Sequence, residues 1–163
     1  MDKNLLEATR LLPCPVVLLS VGTKGKQDAM TATAMFVAED VPLLTVSVAK
    51  SSTCHKLIEE TGEFALNIAS AVQVGLAKQL GASHGAKVDK FKKFSIGTEK
   101  ATQIASPLIA GSSANFECKV ITSSAAANYT VYLAQVVAYK AADAPQPLSW
   151  YQNKYFGFGK QVK

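Results

Sequence analysis

Hydrophobic and polar residues alternate with a period of two in several short segments of this chain, and this pattern predicts β-strands. The clearest example is LLTVSVA at 43–49, where Leu44, Val46 and Val48 share one face and small residues take the other. A half-buried strand has one face in a core, so we expect these three side chains to be buried. Related patterns predict strands at 15–21, about 28–34, 63–69, 115–121 and 129–139.

Apolar residues with helical spacing predict short helices between the strands. Strands outnumber helices, and short turns join most neighbouring strands, which favours a mainly β (α+β) fold with an antiparallel barrel and helices outside it. We expect one domain over 1–163. The helices are predicted at 4–12, 53–61 and 71–80, a loop over most of 81–107, and a turn at 123–128.

Composition narrows the class of protein only moderately. Hydrophobic residues make up 48% and charged residues 18% of 163 residues, as in a globular chain, and the net charge of +5 suits an anionic ligand. Three cysteines without metal or redox spacing fit a reducing compartment. No signal peptide or membrane-spanning run is visible, so we expect a soluble cytoplasmic protein.

The junction that follows the strand at 43–49 carries the most specific chemistry. Ser52 or Thr53 is a natural N-cap for the next helix. His55 then lies in the first turn, where the helix dipole disfavours a cation by ~0.3–1 kcal/mol unless an anion such as phosphate binds there. The alternative is a capped surface helix without a ligand. The segment before this strand is a run of small and hydroxyl residues that would let a flat ring approach the backbone: Met30, Thr31, Ala32, Thr33 and Ala34.

Three other segments admit alternative interpretations. Cys54 beside His55 could be a nucleophile pair, although sequence neighbours seldom face each other productively. The run at 89–94 interleaves lysine and phenylalanine, which fits a lid over a ligand phosphate, a solvated loop, or base stacking in a single-stranded nucleic-acid binder. The aromatic tail at 150–158 is typical of core or dimer packing.

The order of these motifs resembles the flavin reductase-like family, whose members have an FMN-binding split β-barrel. The similarity covers nearly the whole chain. The motifs that carry it are Pro15-Val16-Val17, Met30-Thr31-Ala32-Thr33-Ala34, Val41-Pro42-Leu43, Lys50-Ser51-Ser52-Thr53-x-His55, the run at 61–68, Ser83-x-Gly85 with Asp89-Lys90-Phe91, Pro107-Leu108-Ile109, and the run at 115–120.

The resemblance implies an antiparallel split β-barrel with short flanking helices, FMN as cofactor and a homodimer. It implies that 30–34 would line the isoalloxazine ring, and that Lys90 and Phe91 would close over the cofactor. It gives no role to nucleic acid, membrane or metal. The phosphate and ribityl chain would be bound by Lys50, Ser51, Ser52, Thr53 and His55.

One position departs from the family pattern. Many NAD(P)H-using members carry a histidine at the start of the last long strand, where this chain has Tyr129. The resemblance therefore implies an oxidoreductase that passes electrons from NAD(P)H or a protein donor through FMN to a flavin or another acceptor. It leaves open an FMN electron carrier with little NAD(P)H activity.

Overall fold

The computed structural model describes residues 3–23, 25–83, 88–143, 146–159 and 161. Its helices are α1 (Lys3–Thr9), α2 (Thr53–Thr61), α3 (Val74–Ala82), which follows a 3-10 turn at Ala71–Gln73, and α4 (Lys90–Lys93). Its strands are β1 (Cys14–Thr23), β2 (Lys26–Ala38), β3 (Leu43–Ala49), β4 (Glu63–Ile68), β5 (Thr98–Glu99), β6 (Leu108–Ile109), β7 (Ala114–Ala126), β8 (Tyr129–Ala141), β9 (Leu148–Tyr151) and β10 (Lys154–Gly157).

The main sheet closes on itself as an antiparallel barrel. Its strand order is β10-β9-β1-β2-β3-β8-β7-β4. An additional pairing between β1 and β4 closes six of these strands into a ring, in the order β1-β2-β3-β8-β7-β4. Val17 lies opposite Ile68 at this closure. The predicted mainly β barrel with short flanking helices is confirmed.

Two of the apolar clusters contain most of the buried apolar side chains. One fills the barrel, where Leu44, Val46 and Val48 of β3 are buried as their alternation predicted. The other lies outside the barrel, where Leu80 of α3 and Phe91 of α4 pack against β1 and β2. Since β1 is covered on both faces, its residues 16–22 are all buried, which accounts for an apolar run that Ser20 alone interrupts between Val16 and Val21.

Helix α2 covers one end of the barrel and begins and ends as predicted. Ser52 is the N-cap, and its Oγ accepts a hydrogen bond from the His55 backbone N–H at 3.0 Å. Gly62 follows the helix in the left-handed region at φ 67°, where a residue without Cβ is least strained. Leu57 and Ile58 point into the barrel cluster.

The turn predicted at 123–128 is present but shorter than predicted. Strand β7 continues to Ala126, and Ala127 and Asn128 alone join it to β8. The loop predicted at 81–107 contains α4 and the short strand β5. The aromatic tail forms the hairpin β9–β10, which pairs with β1 at Cys14 opposite Trp150.

Candidate functional site

A cleft of about 420 Å³ lies on the outer surface of the barrel, where β2, β3 and β8 run side by side. Helix α3 and the start of α2 form its other walls. Of the residues predicted from the sequence, the cleft is lined by 30–33 from β2, by Ser51, Ser52 and Thr53 at the start of α2, by Lys90 and by Tyr129. The segment predicted to line the flavin ring and the segment predicted to bind the phosphate therefore line the same cleft.

The structure adds five lining residues that were not among the predicted binding residues. Ser47 and Ala49 belong to the polar face of β3, and Leu80, Gly81 and Ser83 come from the end of α3 and just beyond it. The β3 residues had a signal, since serine and alanine on the outward face of a strand leave room for a ligand. Leu80 and Gly81 had none, because only the tertiary fold brings this helix end to β2. Ser83 had a signal, since it belongs to the loop motif Ser83-x-Gly85.

Four predicted residues lie outside this cleft. Ala34 lines a separate apolar hollow at the open end of the barrel. Phe91 is buried in the cluster outside the barrel. The Lys50 ammonium donates to the Ala127 carbonyl at 2.8 Å, and the His55 ring lies 2.9 Å from Thr130, measured from Nε2 to Oγ1. The motif residue Gly85 lies outside the described residues.

Lys90 has a buried anionic partner. Its Nζ lies 3.0 Å and 3.2 Å from the two carboxylate oxygens of Asp28, and it donates to the Ala29 carbonyl at 2.7 Å. The Lys90 and Asp28 side chains are only 5% and 7% exposed. The same carboxylate accepts from the Cys54 thiol at 3.4 Å.

This arrangement argues against two of the alternatives raised by the sequence. Burial, and then the negative charge of Asp28, hold the pKa of the Cys54 thiol well above its ordinary value, so it stays a neutral donor. His55 instead contacts Thr130 and the ring of Tyr132, so the two neighbours face different groups. Phe91 and Lys90 are both buried, and neither is available to stack on or bind a nucleic acid base.

Glu59, in the second half of α2, connects the helix to Tyr132 of β8. The Tyr132 hydroxyl donates to Glu59 at 2.5 Å. Burial, followed by the hydrogen bond and charge of Glu59, raises the pKa of Tyr132 above its ordinary range. The phenol therefore stays protonated near neutral pH and holds the helix to the barrel wall.

Comparison with known proteins identifies the class of this fold and site. The model of the flavin reductase like domain matches residues 9–159, so the chain belongs to the flavin reductase-like family. The resemblance inferred from the motifs is confirmed. Within the described part of the chain, no helix is long and apolar enough to cross a membrane.

Individual relatives are distant but span most of the chain. The FMN reductase (NADH) RutF of Stutzerimonas stutzeri is 23% identical over 148 residues, which cover 91% of this chain and 83% of that protein. The NADH:riboflavin 5'-phosphate oxidoreductase of Streptomyces pristinaespiralis is 27% identical over 152 residues, covering 91% and 84%. Among solved structures, the NADH:FAD oxidoreductase SgcE6 of Streptomyces globisporus C-1027 superposes with a TM-score of 0.87 at 23% identity, covering 96% of this chain and 92% of that one. This last likeness shows the shared fold.

Proposed function

We propose that this protein is an NAD(P)H-dependent flavin reductase that binds FMN in the cleft between β2, β3 and α2. The observation that carries the proposal is the meeting of a wall of small side chains with the capped N-terminus of α2 in one site. The family match and the names of the NADH-dependent relatives support the reaction class.

The β2 and β3 walls suit a flat ring. Thr31, Thr33, Ser47 and Ala49 project short side chains into the cleft, so an aromatic ligand can reach the backbone of both strands. The Thr31 hydroxyl donates to the Ala77 carbonyl at 2.6 Å, which holds α3 against β2 and keeps this wall in place. Bound FMN would supply the hydride and electron chemistry, while the protein supplies binding, orientation and exclusion of water.

The start of α2 suits the phosphate. Ser52 accepts the His55 amide with its oxygen, so its own hydroxyl hydrogen remains available to a ligand oxygen. Ser51 and Thr53 offer further hydroxyls at the same end of the cleft. The positive end of the helix dipole adds a favourable field for an anion. Lys50 and His55 stay predicted contributors, although their side chains contact other groups in this structure.

We also propose that the protein is a homodimer. Met35 and Val37 continue the outward face of β2 beyond the cleft and are 65% and 47% exposed. Exposed apolar residues beside a cleft are typical of a surface that another subunit covers. The aromatic tail at 150–158 is less available for a dimer interface, because its residues Trp150 and Tyr155 pack against the cluster outside the barrel. The cytoplasmic location stays a prediction; all three cysteines are free thiols.

A second candidate function is an FMN electron carrier that reacts slowly with NAD(P)H. Tyr129 favours it, because this phenol, 48% exposed, lines the cleft at the position where the family pattern has histidine. A neutral phenol lacks the partial positive charge that an imidazole offers to a nicotinamide cofactor.

The visible spectrum and an anaerobic reduction test the proposal together. We expect the purified protein, or the protein after addition of FMN, to show a bound-flavin spectrum that bleaches with NADH or NADPH. A bound flavin that bleaches only with dithionite or a protein donor would favour the electron carrier. A protein that takes up neither FMN nor riboflavin would refute both functions.

A further inference from the structure

The cleft combines a proposed phosphate site with very little net charge. Among its described lining residues, Lys90 is the one charged side chain. Lys50 donates to the Ala127 carbonyl, and His55 contacts Thr130, so neither points its side chain into the cleft. Among the described residues that line the cleft, Lys90 is therefore the one side chain that can place a positive charge beside the ligand phosphate.

Lys90 is not free to bind a ligand. An ammonium has three N–H groups, and three acceptors surround this one: both oxygens of Asp28 at 3.0 and 3.2 Å and the Ala29 carbonyl at 2.7 Å. The pair carries no net charge. It is almost fully buried, so solvent screens it little and the carboxylate cancels most of the field of the ammonium at the cleft wall.

We propose that Asp28 is a specificity-determining residue that limits how strongly the cleft prefers a phosphorylated flavin over riboflavin. This inference rests on the proposed function. Asp28 acts through Lys90, so it is a positioning residue and does not touch the ligand. It lies two residues before Met30 of the ring wall, and its contact with Cys54 links it to the first turn of α2. Hydroxyl and backbone amide groups then bind the phosphate, while the Lys90 ammonium stays paired with Asp28.

The test is the ratio of the riboflavin and FMN dissociation constants, measured by fluorescence titration for three variants. Asp28→Asn keeps the side-chain shape and removes the opposing charge. We expect the ratio to shift in favour of FMN by about tenfold, as a charge-assisted hydrogen bond becomes available. The melting temperature should fall at the same time, because a buried cation loses its partner. Tighter FMN binding in a less stable protein is a result that a merely structural role would not produce.

Lys90→Met should have the opposite effect. It leaves the Asp28 carboxylate near the phosphate, and the ratio should drop below that of the wild type. The double variant Asp28→Leu with Lys90→Met removes both charges and should return the ratio to within about twofold of the wild type, since buried ion pairs can be replaced by apolar residues of similar volume. If Asp28→Asn does not fold, the comparison of Lys90→Met with the double variant decides the matter.

Glu99→Gln is a matched control, because it breaks the exposed ion pair with Lys140 away from the cleft. It should leave the ratio unchanged. Equal changes for FMN and riboflavin in the Asp28 and Lys90 variants would overturn the proposal and leave the pair a structural role. Riboflavin lacks the phosphate, so its binding to the wild type tests the proposed function independently: no binding of either flavin would refute that function, whereas binding with an unchanged ratio would refute only the role of Asp28.

Discussion

Ser52 has two separable tasks in the proposed site, and substitutions can distinguish them. Its oxygen caps α2 by accepting the His55 amide at 3.0 Å, and its hydroxyl hydrogen is free for a phosphate oxygen. Ser52→Ala removes both. The lost cap should lower the free energy of unfolding by about 1 kcal/mol. The lost hydrogen bond to a charged group should cost a further ~1.5–3 kcal/mol of FMN binding, a weakening of roughly ten- to a hundredfold.

Ser52→Asp separates the cap from the ligand. Aspartate is as good an N-cap as serine and suits the helix dipole, so the melting temperature should stay near the wild-type value. Its carboxylate would repel a phosphate, and FMN should bind more weakly than to Ser52→Ala, while riboflavin changes little. The assay is a titration with both flavins beside a thermal melt.

Lys100→Gln is the control for this series. It makes the same change in net charge as Ser52→Asp at an exposed position, and it should affect neither ligand. Equal weakening of FMN and riboflavin by Ser52→Asp would place the phosphate elsewhere and refute the reasoning about α2.

Four further predictions concern other parts of the molecule. Burial alone would raise the pKa of Glu117, but hydrogen bonds from Thr102 and its neighbour lower it. Its stabilising contribution is therefore present above the unfolded value of about 4.3 and is lost as pH falls through the folded pKa, so Glu117→Gln should flatten thermal stability against pH in that acidic range. Gln152 has φ 48° in the β9–β10 turn, and Gln152→Asn should raise the free energy of unfolding by about 0.5–1 kcal/mol in a denaturant titration; an unchanged midpoint would contradict this. Met35→Asp should convert a dimer to a monomer by light scattering, and a dimer that persists would exclude this face as the interface. Tyr129→His should speed reduction of bound FMN by NADH in stopped flow; a wild-type rate already on the order of 10 per second would remove the functional weight of the tyrosine.

The sequence predicted those strands whose burial leaves a periodic signal. Strand β3 has one face in the barrel cluster, so its apolar and small residues alternate, and this alternation predicted the strand. The end of β7 gave no such signal. Its residues from 121 to 126 are exposed, and pairing with β8 holds them in place. The following turn was predicted at 123–128, but its short length was not, because Ala127 takes φ 51° at a position where glycine or asparagine is the usual signal.

The candidate site was predictable where local chemistry defines it. The cap was predicted at Ser52 or Thr53 from the N-cap preferences of serine and threonine, and the structure places it at Ser52. The contribution of α3 depends on a contact between distant segments, since Thr31 donates to the Ala77 carbonyl across 46 positions of sequence. The partner of Lys90 was equally hidden, because Asp28 lies 62 positions away. Spacing along the chain carries no information about such pairs.

The segment at 89–91 shows why a motif can mark a site without supplying its ligands. Asp89 caps α4 by accepting the Lys92 amide at 3.1 Å, Lys90 pairs with Asp28, and Phe91 packs outside the barrel. Each residue fixes the short helix to a different partner, and together they set one wall of the cleft. A residue that positions a wall and a residue that touches the ligand can stand in the same motif, so sequence pattern alone does not separate the two. Binding measurements with two flavins separate them. A contact that only positions the wall changes the affinities for FMN and riboflavin equally, whereas a charge close to the phosphate changes the affinity for FMN alone.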